Sequence, residues 1–292
     1  MDYLLSLDAG GTKISVSSYS PEGTLLDNRR CTGRPFSTDY DEAVRLLIDA
    51  IDSCIHSSSG RCLFIAVGAS GIRASGAAAG LEADLAARFH VPCRVVDDGV
   101  MALYANFNTA DGILVISGTG SVCYGKKDGV CRSAGGWGLP LDDRGSGTWI
   151  ALEAVRSLLA RFDRGCPPTA LDRAVMEHLS CERIFSIPYA VARLPKSELA
   201  SLAPVVETAA NGGDTEALTI LENAGRALSE LVLTVRTALR LHNAPVAVSG
   251  SILTRCLPVR QAMMKVLDQE DVRLSLPPEL AVFPLYKEVC DD

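Results

Sequence analysis

Two glycine-rich turns and one strand that ends in Gly-Ser carry the chemistry that this sequence suggests. The first turn is Asp8-Ala9-Gly10-Gly11-Thr12-Lys13. Glycines in a turn permit left-handed backbone and leave no Cβ in the way, so backbone N–H groups can approach an anion closely. Asp8 could then hold a hydrated Mg²⁺, while Thr12 and Lys13 could meet phosphate oxygens. An ordinary Gly-Gly hairpin turn is the alternative interpretation.

The second turn, Ser117-Gly118-Thr119-Gly120-Ser121, offers the same glycine backbone together with three hydroxyls. A third segment, Val246-Ala247-Val248-Ser249-Gly250-Ser251, is an apolar strand that ends in Gly-Ser before a helix. A nucleoside triphosphate between two lobes needs a phosphate cradle from each lobe. Its adenosine could lie against the bare backbone of the third segment.

Asp97 and Asp98 end the apolar segment CRVVDD and are the candidate general bases. Transfer of a phosphoryl group to a hydroxyl needs a group that accepts the hydroxyl proton. The alternative role for Asp98 is the N-cap of the helix that begins GVMALYA.

Predicted strands and helices alternate along the chain around these motifs, which is the order typical of an α/β protein. The predicted strands are 3–8, 14–19, 24–30, 63–68, 93–97, 112–116, 122–125, 246–249 and 272–276. The predicted helices are 40–56, 80–89, 149–162, 169–179, 196–210, 214–242 and a short C-terminal one. The strand–glycine turn–strand pattern LLSLDAGGTKISV returns as ILVISGTGSVCY, which indicates an internal duplication. Residues 133–149 are predicted to form a loop rich in Gly and Asp.

Composition excludes several classes of protein. The 292 residues include 28 basic and 35 acidic side chains, a net charge of −7, which disfavours general nucleic-acid and anionic-membrane binders. No apolar run reaches the roughly 18 residues of a membrane span, and we expect no signal peptide. The ten cysteines include no CxxC motif, so we expect buried, reduced thiols in a cytoplasmic protein.

The three motifs together resemble the actin-like, sugar-kinase and Hsp70 ATPase superfamily. SGTGS followed by AGGWGLPLDDRGSGTWI resembles its N-acetylglucosamine kinase branch, grouped with the BadF/BadG/BcrA/BcrD ATPases. The resemblance implies an α/β fold of two ribonuclease-H-like lobes with a nucleotide cleft between them. The lobes would be 1–109, joined by 276–292, and 110–275.

The resemblance also implies roles for individual residues. Asp98 would be the catalytic base, and Asp8 would hold Mg²⁺ through water. The expected ATP contacts are Asp8, Gly10, Gly11, Thr12, Lys13, Gly118, Gly120, Ser121, Ala200, Gly250 and Ser251. The expected sugar contacts are Thr119, Gly136, Trp137, Gly138 and Asp143.

One departure affects the expected sugar loop. The branch usually has Gly-Asp-Glu-Gly-Ser where this chain has Asp142-Asp143-Arg144-Gly145-Ser146. Arg144 could pair with Asp143 and compete with the sugar. It could instead turn outward and receive an anionic substituent such as a lactyl carboxylate.

We therefore expect a homodimeric kinase that uses ATP to phosphorylate a small amino sugar. The first choice of substrate is N-acetylglucosamine, phosphorylated at its 6-hydroxyl, and the alternatives are glucosamine and N-acetylmuramic acid. An ATPase that activates a dehydratase through a shared iron–sulfur cluster is a second alternative. A non-catalytic sugar sensor is a third, although such regulators usually carry a DNA-binding domain. We expect none here, because the first phosphate strand starts at Tyr3.

Overall fold

The computed structural model describes residues 2–268 and 272–290, which form two compact units. The first unit extends to Gly112 and includes the C-terminal segment from Ser275, and the second unit is Ile113–Leu274. Among the described residues, no helix combines the length and the apolarity needed to cross a bilayer.

The first unit contains a five-stranded sheet in the order β3-β2-β1-β4-β5. Its strands are β1 (Tyr3–Ala9), β2 (Lys13–Tyr19), β3 (Leu25–Thr32), β4 (Cys62–Ala69) and β5 (Cys93–Asp97). Its first helices are α1 (Tyr40–Ser57), α2 (Ile72–Ser75), α3 (Ala78–Phe89) and α4 (Asp98–Phe107). β1, β2 and β3 are antiparallel neighbours, whereas β1, β4 and β5 run parallel.

The second unit repeats this arrangement with the order β8-β7-β6-β9-β10. Its strands are β6 (Gly112–Ser117), β7 (Ser121–Lys127), β8 (Val130–Gly135), β9 (Val246–Ser249) and β10 (Arg273–Leu274). Its helices are α5 (Gly147–Asp163), α6 (Ala170–His178), α7 (Ile187–Arg193), α8 (Lys196–Ala200), α9 (Ala203–Asn211), α10 (Thr215–Leu239), α11 (Ser251–Arg255) and α12 (Leu257–Leu267). The matching strand order agrees with the internal duplication that the sequence predicts.

The C-terminal helix α13 (Val282–Cys290) packs on the sheet of the first unit. Successive residues of β1 point to opposite faces of that sheet. Leu5 and Leu7 lie in the cluster that α1 and α3 cover, while Leu4 packs with Met101 of α4 and Leu285 of α13. The sheet is therefore covered on both faces, which fixes the strand ends that carry the predicted motifs.

Three local predictions are wrong. β8 lies where the sequence predicted a turn and the beginning of a loop, and it pairs with β7 in an antiparallel register from Val122–Gly135 to Lys127–Val130. The helix predicted over 196–210 is two helices, because Pro204 has no N–H to continue the first one. The N-cap of α4 is Asp97, whose carboxylate accepts the Gly99 N–H at 3.2 Å, and not Asp98.

Candidate active site

The first glycine turn closes the β1–β2 hairpin and is held by backbone contacts. Gly10 N–H donates to Lys13 O at 2.9 Å, and Gly33 N–H donates to Thr12 O at 3.1 Å. A Cβ on Gly33 would lie 2.7–2.8 Å from backbone atoms of Lys13 and Gly10, so this position needs glycine. Gly33 has no motif of its own in the sequence, because its partners lie some twenty residues earlier.

The glycines of the two phosphate-binding candidates do not use left-handed backbone. Gly10, Gly11, Gly118 and Gly120 are absent from the residues with positive φ. What matters at Gly120 is space, since a Cβ there would lie 2.9 Å from Asp143 Oδ1. The left-handed backbone predicted for these four glycines is therefore wrong, and their contact with phosphate stays a prediction.

Two neighbouring carboxylates act on Asp8 at the sheet edge of the first unit. Asp8 is the last residue but one of β1, Asp98 follows β5, and Glu279 comes from the 3₁₀ turn Pro278–Ala281 that precedes α13. Burial raises the pKa of Asp8 to about 6, with further contributions from the negative charges of Glu279 and Asp98 and an opposing one from Lys13. Nothing in the local sequence marks Glu279, because it is separated from Asp8 by more than 250 residues.

Asp98 lies at this edge because parallel strands bring their carboxyl ends together. Ala69 of β4 pairs with Asp97 of β5, which places Asp98 near Ser70. Burial raises the pKa of Asp98, and the negative charge of Asp97 raises it further. Hydrogen bonds from Ser70 and from Gly99 N–H, the latter at 2.8 Å, favour the carboxylate and oppose that rise. The result is a half-buried, oriented carboxylate with more proton affinity than an exposed one.

The second glycine turn is hydrogen-bonded to the loop rich in Gly and Asp that the sequence predicts over 133–149, here called the Gly-Asp loop. Ser117 Oγ donates to Gly145 O at 2.9 Å, and Ser121 Oγ donates to Arg144 O at 2.8 Å. Gly147 N–H donates to Gly118 O at 2.8 Å. The hydroxyls of Ser117 and Ser121 therefore stabilise the fold by donating to backbone carbonyls. Gly118 and the neighbouring Thr119 line a cavity.

That cavity has a volume of about 420 Å³ and lies among α5, α8, α9 and α11. Its wall includes four residues predicted from the sequence: Gly118, Thr119, Ala200 and Ser251. Gly120, Ser121 and Gly250 are not part of its lining. Gly250 instead has φ +86°, and a Cβ there would lie 2.2 Å from Ser117 O. Glu207, Arg255 and Cys256 also line the cavity, and no motif had identified them.

The predicted sugar contacts in the Gly-Asp loop differ in exposure to solvent. Trp137 is 79% exposed, and Gly136 and Gly138 flank it with left-handed φ of +78° and +77°. Asp143 is 4% exposed, and its Oδ1 accepts the Ser121 N–H at 3.3 Å. Its Oδ2 accepts a hydrogen bond from Lys196 Nζ at 3.3 Å.

Arg144 does not pair with Asp143. Its Nη1 lies 2.9 Å from Glu230 Oε2 on α10, and both side chains are more than half exposed. The first of the two alternatives for Arg144 is therefore wrong, and the cation beside Asp143 is Lys196. No local motif marks Lys196, which follows Asp143 by 53 positions.

Comparisons with known proteins agree with this geometry. Residues 5–279 match the BadF/BadG/BcrA/BcrD ATPase family. The chain is also 31% identical, over 85% of its length and 84% of the relative's, to an N-acetylmuramic acid/N-acetylglucosamine kinase of Clostridium acetobutylicum. The chain belongs to the BadF/BadG/BcrA/BcrD ATPase family. The resemblance inferred from SGTGS and the GGWG loop is thereby confirmed.

Two further relatives extend the comparison of this family member. An N-acetyl-D-glucosamine kinase of Dictyostelium discoideum is 33% identical over 42% of this chain and 40% of its own. A solved structure, described as a candidate N-acetylglucosamine kinase of Chromobacterium violaceum, shares the fold with a TM-score of 0.74. It is 23% identical and covers 97% of this chain and 98% of its own. The predicted α/β fold is confirmed, and the residue roles stay predictions.

Proposed function

We propose that this chain is an amino-sugar kinase that transfers the γ-phosphoryl group of ATP to the 6-hydroxyl of N-acetylglucosamine. The observation that carries the proposal is the 420 Å³ cavity, whose wall contains Gly118 and Thr119 of the glycine turn. Its size is that of a small-ligand site. The same turn contacts Asp143 in the loop that resembles a sugar-binding segment.

In the proposed reaction, Asp98 accepts the proton of the sugar hydroxyl. The hydroxyl oxygen forms a bond to the γ-phosphorus while the bond from that phosphorus to the β–γ bridging oxygen breaks. The electron pair of the broken bond leaves with ADP. The raised proton affinity of Asp98 suits this role, because a base works best when its pKa approaches the working pH.

The residues proposed to contact ATP are those that the sequence motifs indicate. In the first turn we assign to ATP the residues Asp8, Gly10, Gly11, Thr12 and Lys13. In the second unit we assign Gly118, Gly120, Ser121, Ala200, Gly250 and Ser251. The cavity lining supports Gly118, Ala200 and Ser251 as direct contacts. Gly120, Ser121 and Gly250 do not line the cavity. We propose that they act on ATP indirectly, by positioning the residues of the cavity wall.

The residues around Asp8 fit a hydrated Mg²⁺. A divalent cation would offset the burial and the neighbouring negative charges that together raise the pKa of Asp8 to about 6. Within residues 2–268 and 272–290, no group of three His, Cys, Asp or Glu side chains could hold a metal by itself. We therefore assign Mg²⁺ to phosphate oxygens and water, with Asp8 as an outer partner; when bound, it neutralises phosphate charge.

Thr119, Gly136, Trp137, Gly138 and Asp143 are the proposed sugar contacts. The exposed ring of Trp137 is suited to the apolar face of a pyranose, because aromatic rings carry a large apolar surface. Both carboxylate oxygens of Asp143 already accept hydrogen bonds, and each oxygen has a second lone pair for a sugar hydroxyl.

The iron–sulfur alternative needs thiols at a surface that a second subunit can reach. Cys62, Cys93 and Cys256 are buried, and burial raises the pKa of each to about 12, which disfavours the thiolate that binds iron. Cys31 and Cys290 are exposed, so the alternative depends on these two. An iron content near zero in protein purified without oxygen agrees with a kinase. Stoichiometric iron and a brown colour would support the activator instead.

A coupled assay of ADP release tests the proposed function. N-acetylglucosamine, N-acetylmuramic acid, glucosamine and glucose are offered separately, each with ATP and Mg²⁺. We expect the two N-acetylated sugars to give the highest kcat/KM. Equal ADP release with and without sugar would contradict the proposal. The homodimer and the cytoplasmic location stay predictions, and light scattering tests the former.

A further inference from the structure

Lys196 is a cation beside two segments of the proposed site, and no sequence motif includes it. Its Nζ lies 3.3 Å from Asp143 Oδ2. It also lies 3.3 Å from the position that a Cβ would take on Gly138. The Lys196 side chain is 50% exposed, whereas that of Asp143 is 6% exposed. The ion pair uses one donor of an ammonium group that has three.

Lys196 is linked to the second glycine turn through Asp143 and to the cavity through its neighbours on α8. Asp143, its partner, accepts the Ser121 N–H of that turn with its other oxygen. The next residue, Ser197, lines the cavity together with Gly118 and Thr119. Lys196 begins α8, and Ala200 at the end of this short helix lines the same cavity. Lys196 is therefore adjacent in the chain to a residue of the cavity wall, and its ion-pair partner contacts the turn that is proposed to hold the phosphates.

We propose that Lys196 is a catalytic cation whose ammonium contacts the phosphoryl group during its transfer. This role rests on the proposed kinase function. As the sugar oxygen bonds to the γ-phosphorus and the bond to ADP breaks, negative charge is spread over the three outer oxygens of the transferred group. A preorganised cation at that point stabilises the transition state more than the bound substrates.

Two other roles for Lys196 predict different kinetics. If it received a carboxylate on the sugar, its loss would affect N-acetylmuramic acid and leave N-acetylglucosamine unchanged. If it only balanced the charge of Asp143, its loss would have no effect once Asp143 is also neutral. The contact with a transferred phosphoryl group predicts an equal loss with every sugar, whether or not Asp143 is charged.

The test compares Lys196→Gln with the wild type, using both N-acetylated sugars. Gln keeps an amide donor for Asp143 but removes the positive charge. We expect kcat to fall about 10²-fold with both sugars, the size of effect seen when one donor to a transition-state oxyanion is lost. Both KM values should stay within about threefold. Arg156→Gln is the matched control, because that exposed cation pairs with Glu153 on the surface of α5, and its kcat should not change.

A double variant distinguishes contact with the phosphoryl group from mere neutralisation of the Asp143 charge. The same comparison is available if Lys196→Gln alone does not fold. Asp143→Asn/Lys196→Gln places two neutral amides together. It should be about 10²-fold slower than Asp143→Asn alone if the ammonium contacts the phosphoryl group. Equal rates for those two variants, or a loss confined to N-acetylmuramic acid, would overturn the proposal. A wild type that phosphorylates no sugar would overturn the proposed function and this role together, whereas an active wild type with an equally active Lys196→Gln overturns only this role.

Discussion

Neighbouring carboxylates in the first unit have different roles because their surroundings differ. Asp97 is buried and caps α4 through Gly99 N–H. Asp98 is half-buried, receives hydrogen bonds from Ser70 and Gly99, and carries the raised pKa. The sequence DD alone does not distinguish them, since either residue could have capped the helix. The structure assigns the cap to Asp97, and proton transfer by Asp98 stays a proposal that the next experiment tests.

Asp98→Asn should reduce kcat at least 10²-fold, in the range expected for losing a general base. ATP binding, measured by calorimetry, should be unchanged. Asp97→Asn is the matched control: because Asn caps a helix about as well as Asp, we expect this variant to keep the cap on Gly99 N–H and to retain turnover. Because it removes a negative charge beside Asp98, the acid limb of its pH–kcat/KM profile should move to lower pH. An inactive Asp97→Asn with an active Asp98→Asn would transfer the role to Asp97.

Asp8 should make the folded state less stable as pH rises. As the pH passes 3.8 the unfolded chain loses this proton, whereas the folded state keeps it until about pH 6. The unfolded state then binds fewer protons, so the free energy of unfolding falls across this window. Asp8→Asn lacks the effect and should be more stable than the wild type at pH 7, by up to about 3 kcal/mol.

Urea unfolding at pH 4 and pH 7 measures that difference. The advantage of Asp8→Asn should be small at pH 4 and full at pH 7. ATP with Mg²⁺ should stabilise the wild type more than the variant. An advantage that does not depend on pH would show that the carboxylate of Asp8 is not destabilised by burial.

Local patterns predicted the elements well where glycine and alternation act within a few residues. The β1–β2 and β6–β7 hairpins follow from apolar alternation around a glycine turn, and α10 follows from its apolar stripe. β8 has exposed and half-buried residues only, so its sequence lacks the alternation that marks a strand. Lys196, Glu279 and Gly33 reach the site through distant pairings, for which no local pattern exists.

The second glycine turn and the Gly-Asp loop fit each other at Gly120. Gly120→Ala places a Cβ 2.9 Å from Asp143 Oδ1 and should displace that carboxylate. We expect kcat/KM for N-acetylglucosamine to fall at least tenfold, since small misplacements in a site are costly. Gly80→Ala is the matched control, because its Cβ on α3 would meet no atom within 4 Å. It should add up to about 1 kcal/mol of stability without changing kcat/KM. Equal kinetics for the two variants would contradict the proposed role of Asp143.

The whole molecule consists of two units with the same strand order, and each supplies one part of the proposed chemistry. The first unit holds the oriented Asp98 and the acidic pair Asp8 and Glu279. The second holds the cavity and the loop that contains Asp143. The duplication, the family and the α/β fold could be predicted from the sequence. The partners of Asp143 and Arg144 could not, because they depend on where α8 and α10 lie.

Transfer of label from [γ-³²P]ATP to N-acetylglucosamine tests the central claim most directly, because it separates a kinase from an ATPase. We expect the wild type to place the label on the sugar, at the 6-position by mass spectrometry and NMR, in a one-to-one ratio with ADP. Asp98→Asn should form neither product at a comparable rate. Label that appears only as inorganic phosphate, with N-acetylglucosamine unmodified, would contradict the proposal that this chain is an amino-sugar kinase.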